Sequence, residues 1–158
     1  MNLRRFLEWV EGEGDLLTVE SAVEPNVEMA RVIHAMEDRP ILFTDPCRAG
    51  WRVASGVCAG RKHFAWALGT DSLGIVPRLV EALDNPRQPD VVAEAPCQQH
   101  VVRSPDLRVI PILKHLEGDG GPYITAGILV LRDPDFGRNV SYHRLMQIGP
   151  TQFTARVV

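Results

Sequence analysis

Between positions 139 and 144 the sequence reads NVSYHR, which sets an amide, a hydroxyl, a phenol, an imidazole and a guanidinium within six residues. The stretch follows a DPDFG turn and precedes LMQIG, a place where a core strand would carry valines and leucines. Arg144 offers a planar fork that grips a carboxylate through two parallel hydrogen bonds and never loses its charge, which a lysine does not reproduce. Asn139 offers an amide oxygen of the kind a hard divalent cation prefers. Each group also has a plainer use. Arginines on strands are commonly rim residues. An asparagine directly after a turn tolerates left-handed conformations and bonds its own backbone. A neutral histidine such as His143, satisfied by a backbone partner, is commoner than a ligand. Strand parity adds a condition. Asn139 and Arg144 are five apart, so a regular strand points them to opposite faces. A bulge, or a strand that starts after Asn139, has to bring both toward one pocket.

Other chemistry-bearing residues are less suggestive. EGDGGP, residues 117–122, lacks the lysine and the following helix of a phosphate loop and reads as a turn. His34, His63, His100 and His115 have no metal-ligand spacing, although His115 lies near the glycine cluster. Cys47, Cys58 and Cys97 are odd in number and form no CxxC, so they read as buried or idle thiols rather than as a disulfide framework or zinc site. Glu28 and Glu37 read as a solvated helix face, and Trp9, Trp51 and Trp66 as packing residues.

The elements that must position these groups are mixed. LRRFLEWVEG predicts an amphipathic helix with Leu3, Phe6, Leu7 and Val10 on one stripe. DLLTVES reads as extended. NVEMARVIHAMED predicts a helix capped at Asn26, with Val27, Ala30, Ile33, Val32 and Met36 on its apolar side. PILFT and WRVASGVCA read as short buried strands. RKHFAWALG and DSLGIVPRLVEALD predict two further helices, with Gly74 and Pro77 weakening the first turn of the second. This α/β unit ends near residue 85. A proline-rich, extended connection follows over 86–115. From 116 onward the pattern is a glycine turn, an apolar strand, a turn at DPDFG, a second strand and the start of a third, the opening of a β-rich domain. The expected fold class is therefore α+β, a mixed α/β arrangement.

Composition narrows the classes of function. The 158 residues are 45% hydrophobic and 23% charged, as in globular proteins with room for one core or two small ones. The net charge of −3 comes from interleaved signs, with no basic block to track a phosphate backbone, so nucleic acid is not an expected partner. No apolar run approaches the roughly 20 residues that span a bilayer, and MNLRRFLEWVEGEG meets acids too early for a signal peptide. The expected location is the cytoplasm.

The run DGGPYITAGILVLRDPDFGRNVSYHRLMQIG resembles the signature region of the UbiD family of reversible decarboxylases, which use prenylated flavin mononucleotide. LRRFLEWVEGEGDLLTVE, PCQQHVV and DLRVIPIL match the N-terminal pattern of that family in order and spacing, so the similarity covers the whole chain. The resemblance implies an N-terminal α/β domain over 1–85 and, over 116–158, the first strands of a split β-barrel that binds the flavin. It implies that Arg144 takes the family's catalytic position beside the flavin. It places Asn139 as a ligand to manganese or magnesium bridging the flavin phosphate. Thr125, Ser141, Tyr142, His143 and Arg144 fall where family members touch the cofactor. It further implies a monovalent cation such as potassium, a small carboxylic acid as substrate, and an oligomer. A cofactor is chemically apt, because losing CO2 from an aromatic or α,β-unsaturated acid leaves carbanion density that no side chain can hold. The family's remaining metal ligands and glutamates lie past the position of Val158. The 158 residues alone are therefore expected not to decarboxylate, and a complementary subunit pairing with the edge at FTARVV is one way to complete the site. A non-catalytic assembly or binding module is the alternative reading.

Overall fold

The computed structural model describes residues 2–36 and 38–156; Glu37 and the last two residues of FTARVV lie outside them. Helix α1, Leu3–Gly12, forms where Phe6 and Val10 recur on one face, and the Asn2 side chain caps it by accepting from the Arg5 N–H at 3.0 Å. Short strands β1 (Leu17–Val19), β2 (Ile41–Phe43) and β3 (Val53–Ser55) make one sheet in the order β1-β2-β3. Helix α2 spans Glu28–Ala35, α3 spans Arg61–Leu68 and α4 spans Ile75–Asp84. Pro77 falls in the first turn of α4, where the missing N–H has no intrahelical partner to lose. Two short 3-10 turns, Pro96–Gln98 and Leu107–Val109, interrupt an otherwise irregular connection. Strands β4 (Tyr123–Asp133), β5 (Gly137–Gln147) and β6 (Phe153–Ala155) make a second, antiparallel sheet in that order. The fold class is α+β, as the alternation of periods predicts.

The chain divides into two interleaved units, Met1–Leu17 with Met36–Leu42 and Ala54–Ser104, and Thr18–Ala35 with Phe43–Val53 and Pro105–Val158. In the first, Phe6, Val10, Ile41, Ala65 and Ile75 are buried. Burying side chains of this size stabilises by roughly 1.5–3 kcal/mol for each large one. Trp9 stacks on Trp66 with ring centroids 4.5 Å apart, and Phe6 meets Trp66 edge-on at 5.9 Å. Trp9 and Trp66 are packing residues, as expected; Trp51, in the second unit, is 39% exposed. Gly56, at φ +68, closes against the Arg39 carbonyl, a spot where a Cβ would collide with backbone.

In the second unit Val23, Met29, Phe43 and Ile112 are buried. Helix α2 departs from expectation here. Met29 is its buried residue, Met36 is 40% exposed, and the helix begins at Glu28 rather than behind an Asn26 cap. Asn26 instead bridges in parallel fashion to Lys114, with the Val27 N–H on the Lys114 carbonyl at 2.8 Å and the Lys114 N–H on the Pro25 carbonyl at 3.1 Å. Two backbone bonds outweigh both the lost side-chain cap and the strain of a left-handed φ of 69 at Val27. The three cysteines are free and exposed rather than buried, and the Cys47 thiol is pushed up by partial desolvation and by Glu24 and Asp45 nearby. A raised thiol pKa keeps it in its unreactive form.

The β4–β5 hairpin turns at Asp133, whose side chain accepts from the N–H groups of Asp135 and Phe136, both at 2.8 Å, with Gly137 at φ +81. Its partners run from Asp133↔Gly137 through Gly127↔His143 and then shift to Ile124↔Leu145. Three steps on β4 thus oppose two on β5, which is a bulge at Thr125 and Ala126.

Candidate active site

Arg144 stands on β5 opposite that bulge. The extra residue in β4 keeps Tyr123 and Thr125 on the same side of the sheet as Arg144 and Met146, since paired residues share a face and alternate residues return to it. On the next strand Leu145 pairs with Ala155 and Met146 with Thr154, and Arg156 follows directly after the last paired residue. The turn before β4 closes the other side. The Asp119 carboxylate accepts from the N–H groups of His115 at 3.2 Å and Leu116 at 2.9 Å, fixing that turn. Together His115, Leu116, Asp119, Tyr123, Thr125, Arg144, Met146, Thr154, Ala155 and Arg156 line an open cavity of about 640 Å³.

The cavity is electropositive. It carries two guanidinium groups, and Asp119 is its one carboxylate. Among the described residues neither Arg144 nor Arg156 has an ion-pair partner. The contrast with Arg108 is direct. Its Nε and Nη2 bind Asp106 Oδ1 at 2.9 Å and Oδ2 at 2.7 Å, a fork that pushes the Asp106 carboxyl down to about 2.

Of the residues singled out in the sequence, Thr125 and Arg144 line the cavity and Asn139, Ser141, Tyr142 and His143 do not. Strand β5 keeps its parity over Gly137–His143, and the extra residue lies in β4, so Asn139, Ser141 and His143 occupy the face opposite Arg144. There His143 Nδ1 lies 3.0 Å from the Arg156 carbonyl, and its Nε2 lies 2.8 Å from Ser141 Oγ. A carbonyl only accepts, so Nδ1 carries the proton, and in the neutral ring Nε2 accepts from the Ser141 hydroxyl. His143 thereby ties the end of β6 to β5 and helps to hold Arg156 at the cavity wall. Tyr142 lies nearer the hairpin tip and is 75% exposed, with Ile128, Val130 and Val140 exposed near it.

Sequence reasoning passed over Asp119, Tyr123, Met146 and Arg156. Alternation from Thr125 to Tyr123 and from Arg144 to Met146 would have found two of them; a third strand was expected, but its register against β5 had no local signal. For a metal, Asn139 supplies one oxygen where divalent cations take about six or more. Among the described residues no group of three or more His, Cys, Asp or Glu could complete the set. For a flavin the fit is better: an open, positively charged cavity with a threonine, a tyrosine and an arginine is suited to a planar anionic ligand. No helix of the described residues is long and apolar enough to cross a membrane.

The chain matches two family models. Residues 7–83 match the 3-octaprenyl-4-hydroxybenzoate carboxy-lyase N-terminal domain, and residues 90–158 match the Rift-related domain of the same carboxy-lyase. It is 34% identical over 99% of its length to anhydromevalonate phosphate decarboxylase of Methanothermobacter thermautotrophicus, covering 36% of that protein. It is 31% identical over 94% of its length to a phenolic acid decarboxylase of a Streptomyces species, covering 35% of that protein. Among solved structures, an evolved dimeric form of the UbiD-class enzyme HmfF from Pelotomaculum thermopropionicum, in complex with prFMN, superposes with a TM-score of 0.91 at 35% identity. That match covers 99% of this chain and 38% of the other. The chain thus spans a little over a third of the length of these relatives.

Proposed function

The chain belongs to the UbiD family, and from that premise we propose that it forms the N-terminal part of a decarboxylase using prenylated FMN. Its substrate is an aromatic or α,β-unsaturated carboxylic acid. That class takes in both the phosphorylated acid and the phenolic acids for which two of its relatives are named. The observation that carries this reading is the placement of Arg144 on the cavity wall with no carboxylate partner among the described residues. A guanidinium without an internal partner keeps its fork for a ligand carboxylate. Thr125 faces the same cavity and contacts the flavin, while Ser141 and His143 support the strand from behind. Tyr142 belongs to the cofactor-contacting run as well, nearer the hairpin tip.

When bound, the prenylated flavin supplies the electron sink that a carbanion-like leaving step requires. The chain's own part is to orient the acid. Arg144 holds the carboxylate by two hydrogen bonds, the bulge at Thr125 and Ala126 leaves room opposite it, and Asp119 fixes the turn that closes the cavity. Asn139 would give one oxygen to a manganese or magnesium ion whose other ligands would come from outside these residues, with a monovalent cation such as potassium beside it. The 158 residues do not decarboxylate alone. The rest of the barrel, from further sequence or from a complementary subunit pairing beside β6, completes the site within an oligomer.

The test is reconstitution. The chain is joined to, or co-expressed with, the C-terminal portion of a relative, loaded anaerobically with prenylated FMN and manganese, and assayed for CO2 release from cinnamic and phenolic acids. Activity that disappears in Arg144→Ala, with flavin still bound, is the expected result. A complex that binds no flavin and releases no CO2 would identify the chain as an assembly module instead.

A further inference from the structure

Val27 is held at φ +69, left-handed backbone that a β-branched side chain rarely adopts. Such a conformation persists only where its neighbours over-determine it. Two backbone hydrogen bonds do so here: the Val27 N–H donates to the Lys114 carbonyl at 2.8 Å, and the Lys114 N–H donates to the Pro25 carbonyl at 3.1 Å. Val23 and Met29 are buried, so the segment is anchored on either side of the bend. One residue before Lys114, the Leu113 carbonyl accepts from the Tyr123 N–H at 2.8 Å. Residues 113 and 114 are thus bonded both to the segment leading into α2 and to the first residue of β4. The turn over 115–119, which supplies His115, Leu116 and Asp119 to the cavity wall, is strung between these two anchors. Arg31 of α2 adds an exposed ion pair to Glu117 at 3.0 Å, worth little by itself but made to the same turn.

We propose that Val27 is a positioning residue for the cavity: its strained backbone bridges to Lys114 and so holds the 115–119 turn in place from outside the site. None of the described residues 25–27 lines the cavity, so the effect passes through the backbone. Loss of the bridge lets Val27 return to an ordinary φ. Strain at Val27 therefore favours release of the turn, and the two hydrogen bonds oppose it. The inference rests on the decarboxylase reading only for what turnover reports; the state of the turn is measured without it.

The test is amide hydrogen exchange on the 158-residue chain, joined to turnover by the reconstituted enzyme. In the unaltered chain the Val27, Lys114 and Leu116 amides are expected to exchange within about threefold of one another, as one cooperative unit. Val27→Pro fixes φ near about −65° and removes one bridging N–H, and Lys114→Pro removes the other. Each is expected to speed exchange at Leu116 and Asp119 by about tenfold or more while α1 keeps its protection. In the reconstituted enzyme both raise KM about tenfold, with kcat changed by less than about threefold and flavin still bound. Val27→Gly adopts a positive φ freely and keeps its N–H, so it retains the parental exchange and KM. Phe43→Leu, a core substitution in the same unit, lowers the melting temperature without these changes. A Leu116 amide that stays protected in both proline variants, or that exchanges far more slowly than Val27 in the unaltered chain, overturns the proposal. So does Val27→Gly failing as the proline variants do, since the side chain rather than the backbone would then matter. An equal rise in KM in Phe43→Leu also overturns it, because the bridge would then contribute only general stability. A complex that releases no CO2 sinks the decarboxylase reading alone, and the exchange pattern still decides the role of Val27.

Discussion

His63 in the first unit and His143 in the second each have both ring nitrogens in hydrogen-bond contact, yet their settings differ. His63 is 1% exposed, with Phe6 and Trp9 edge-on at 5.7 and 6.2 Å. Its Nδ1 accepts from the Gly60 N–H at 3.0 Å, so Nε2 carries the proton toward Asp15 at 3.3 Å. Asp15 in turn pairs with Lys62, and Arg39 lies within 4.0 Å. Every polar group in that cluster is answered inside the chain. His143 carries its proton on the other nitrogen and braces two strands, while the opposite face shows Arg144 and Arg156 with no partner. A polar cluster sealed by aromatic rings and fully paired serves the fold. Cations on a cavity wall with no ion pair among the described residues keep their hydrogen-bonding capacity open, which fits the role proposed for Arg144.

That contrast can be broken most forcefully through Phe6. Phe6→Ala removes a buried ring from the lid over His63 and is expected to cost about 3–5 kcal/mol of stability. Urea denaturation followed through Trp9 and Trp66 fluorescence reads it, and a loss under about 1 kcal/mol would show that the cluster is not a core at all. A smaller effect tests the second unit. At Gly127 a Cβ would stand 2.6 Å from Leu145 Cδ1 and 3.1 Å from the His143 carbonyl, beside the bulge that faces Arg144. Gly127→Ala is expected to cost roughly 1–3 kcal/mol of stability in the same denaturation measurement. Unchanged stability would mean that the close approach of β4 and β5 is not a tight contact.

The smallest expected effect is a pH dependence. The Asp15 carboxyl lies below the usual carboxylate value, chiefly through its hydrogen bond with Lys62, with help from His63 and against some desolvation. A carboxyl with a depressed folded pKa contributes its full stability above the unfolded value of about 3.9 and loses it as pH falls through the lower folded value. Acidification from pH 5 toward pH 3 should therefore destabilise the unaltered chain more than Asp15→Asn. Parallel curves of melting temperature against pH for the two proteins would count against the pairing.

How much of this could be read without coordinates depends on range. The helices follow local periodicity, and α1 buries the Phe6 and Val10 that its spacing predicts. The polar run around Arg144 drew attention to it, but it was the resemblance that singled out both Arg144 and Thr125, and both line the cavity. The α2 face was misjudged because a non-local bridge from Asn26 to Lys114 resets where that helix begins. A bulge, or a strand that starts after Asn139, was expected to bring Asn139 and Arg144 to one face, whereas β5 starts at Gly137 and the extra residue lies in β4. Either strand can hold the extra residue without violating its own alternation, and only the pairing chooses between them.

The amino-acid sequence by itself determined the element types and the family, and singled out the arginine found on the cavity wall, since these rest on periodicity, turn chemistry and a contiguous motif. Tertiary structure alone decided which residues share a wall. His63 meets Asp15 across 48 positions, and Arg156 joins Arg144 in lining one cavity only because β6 folds back in antiparallel register. Side-chain charge is a property of the residue, but whether that charge is cancelled or left for a ligand depends on neighbours that the chain brings together only by folding.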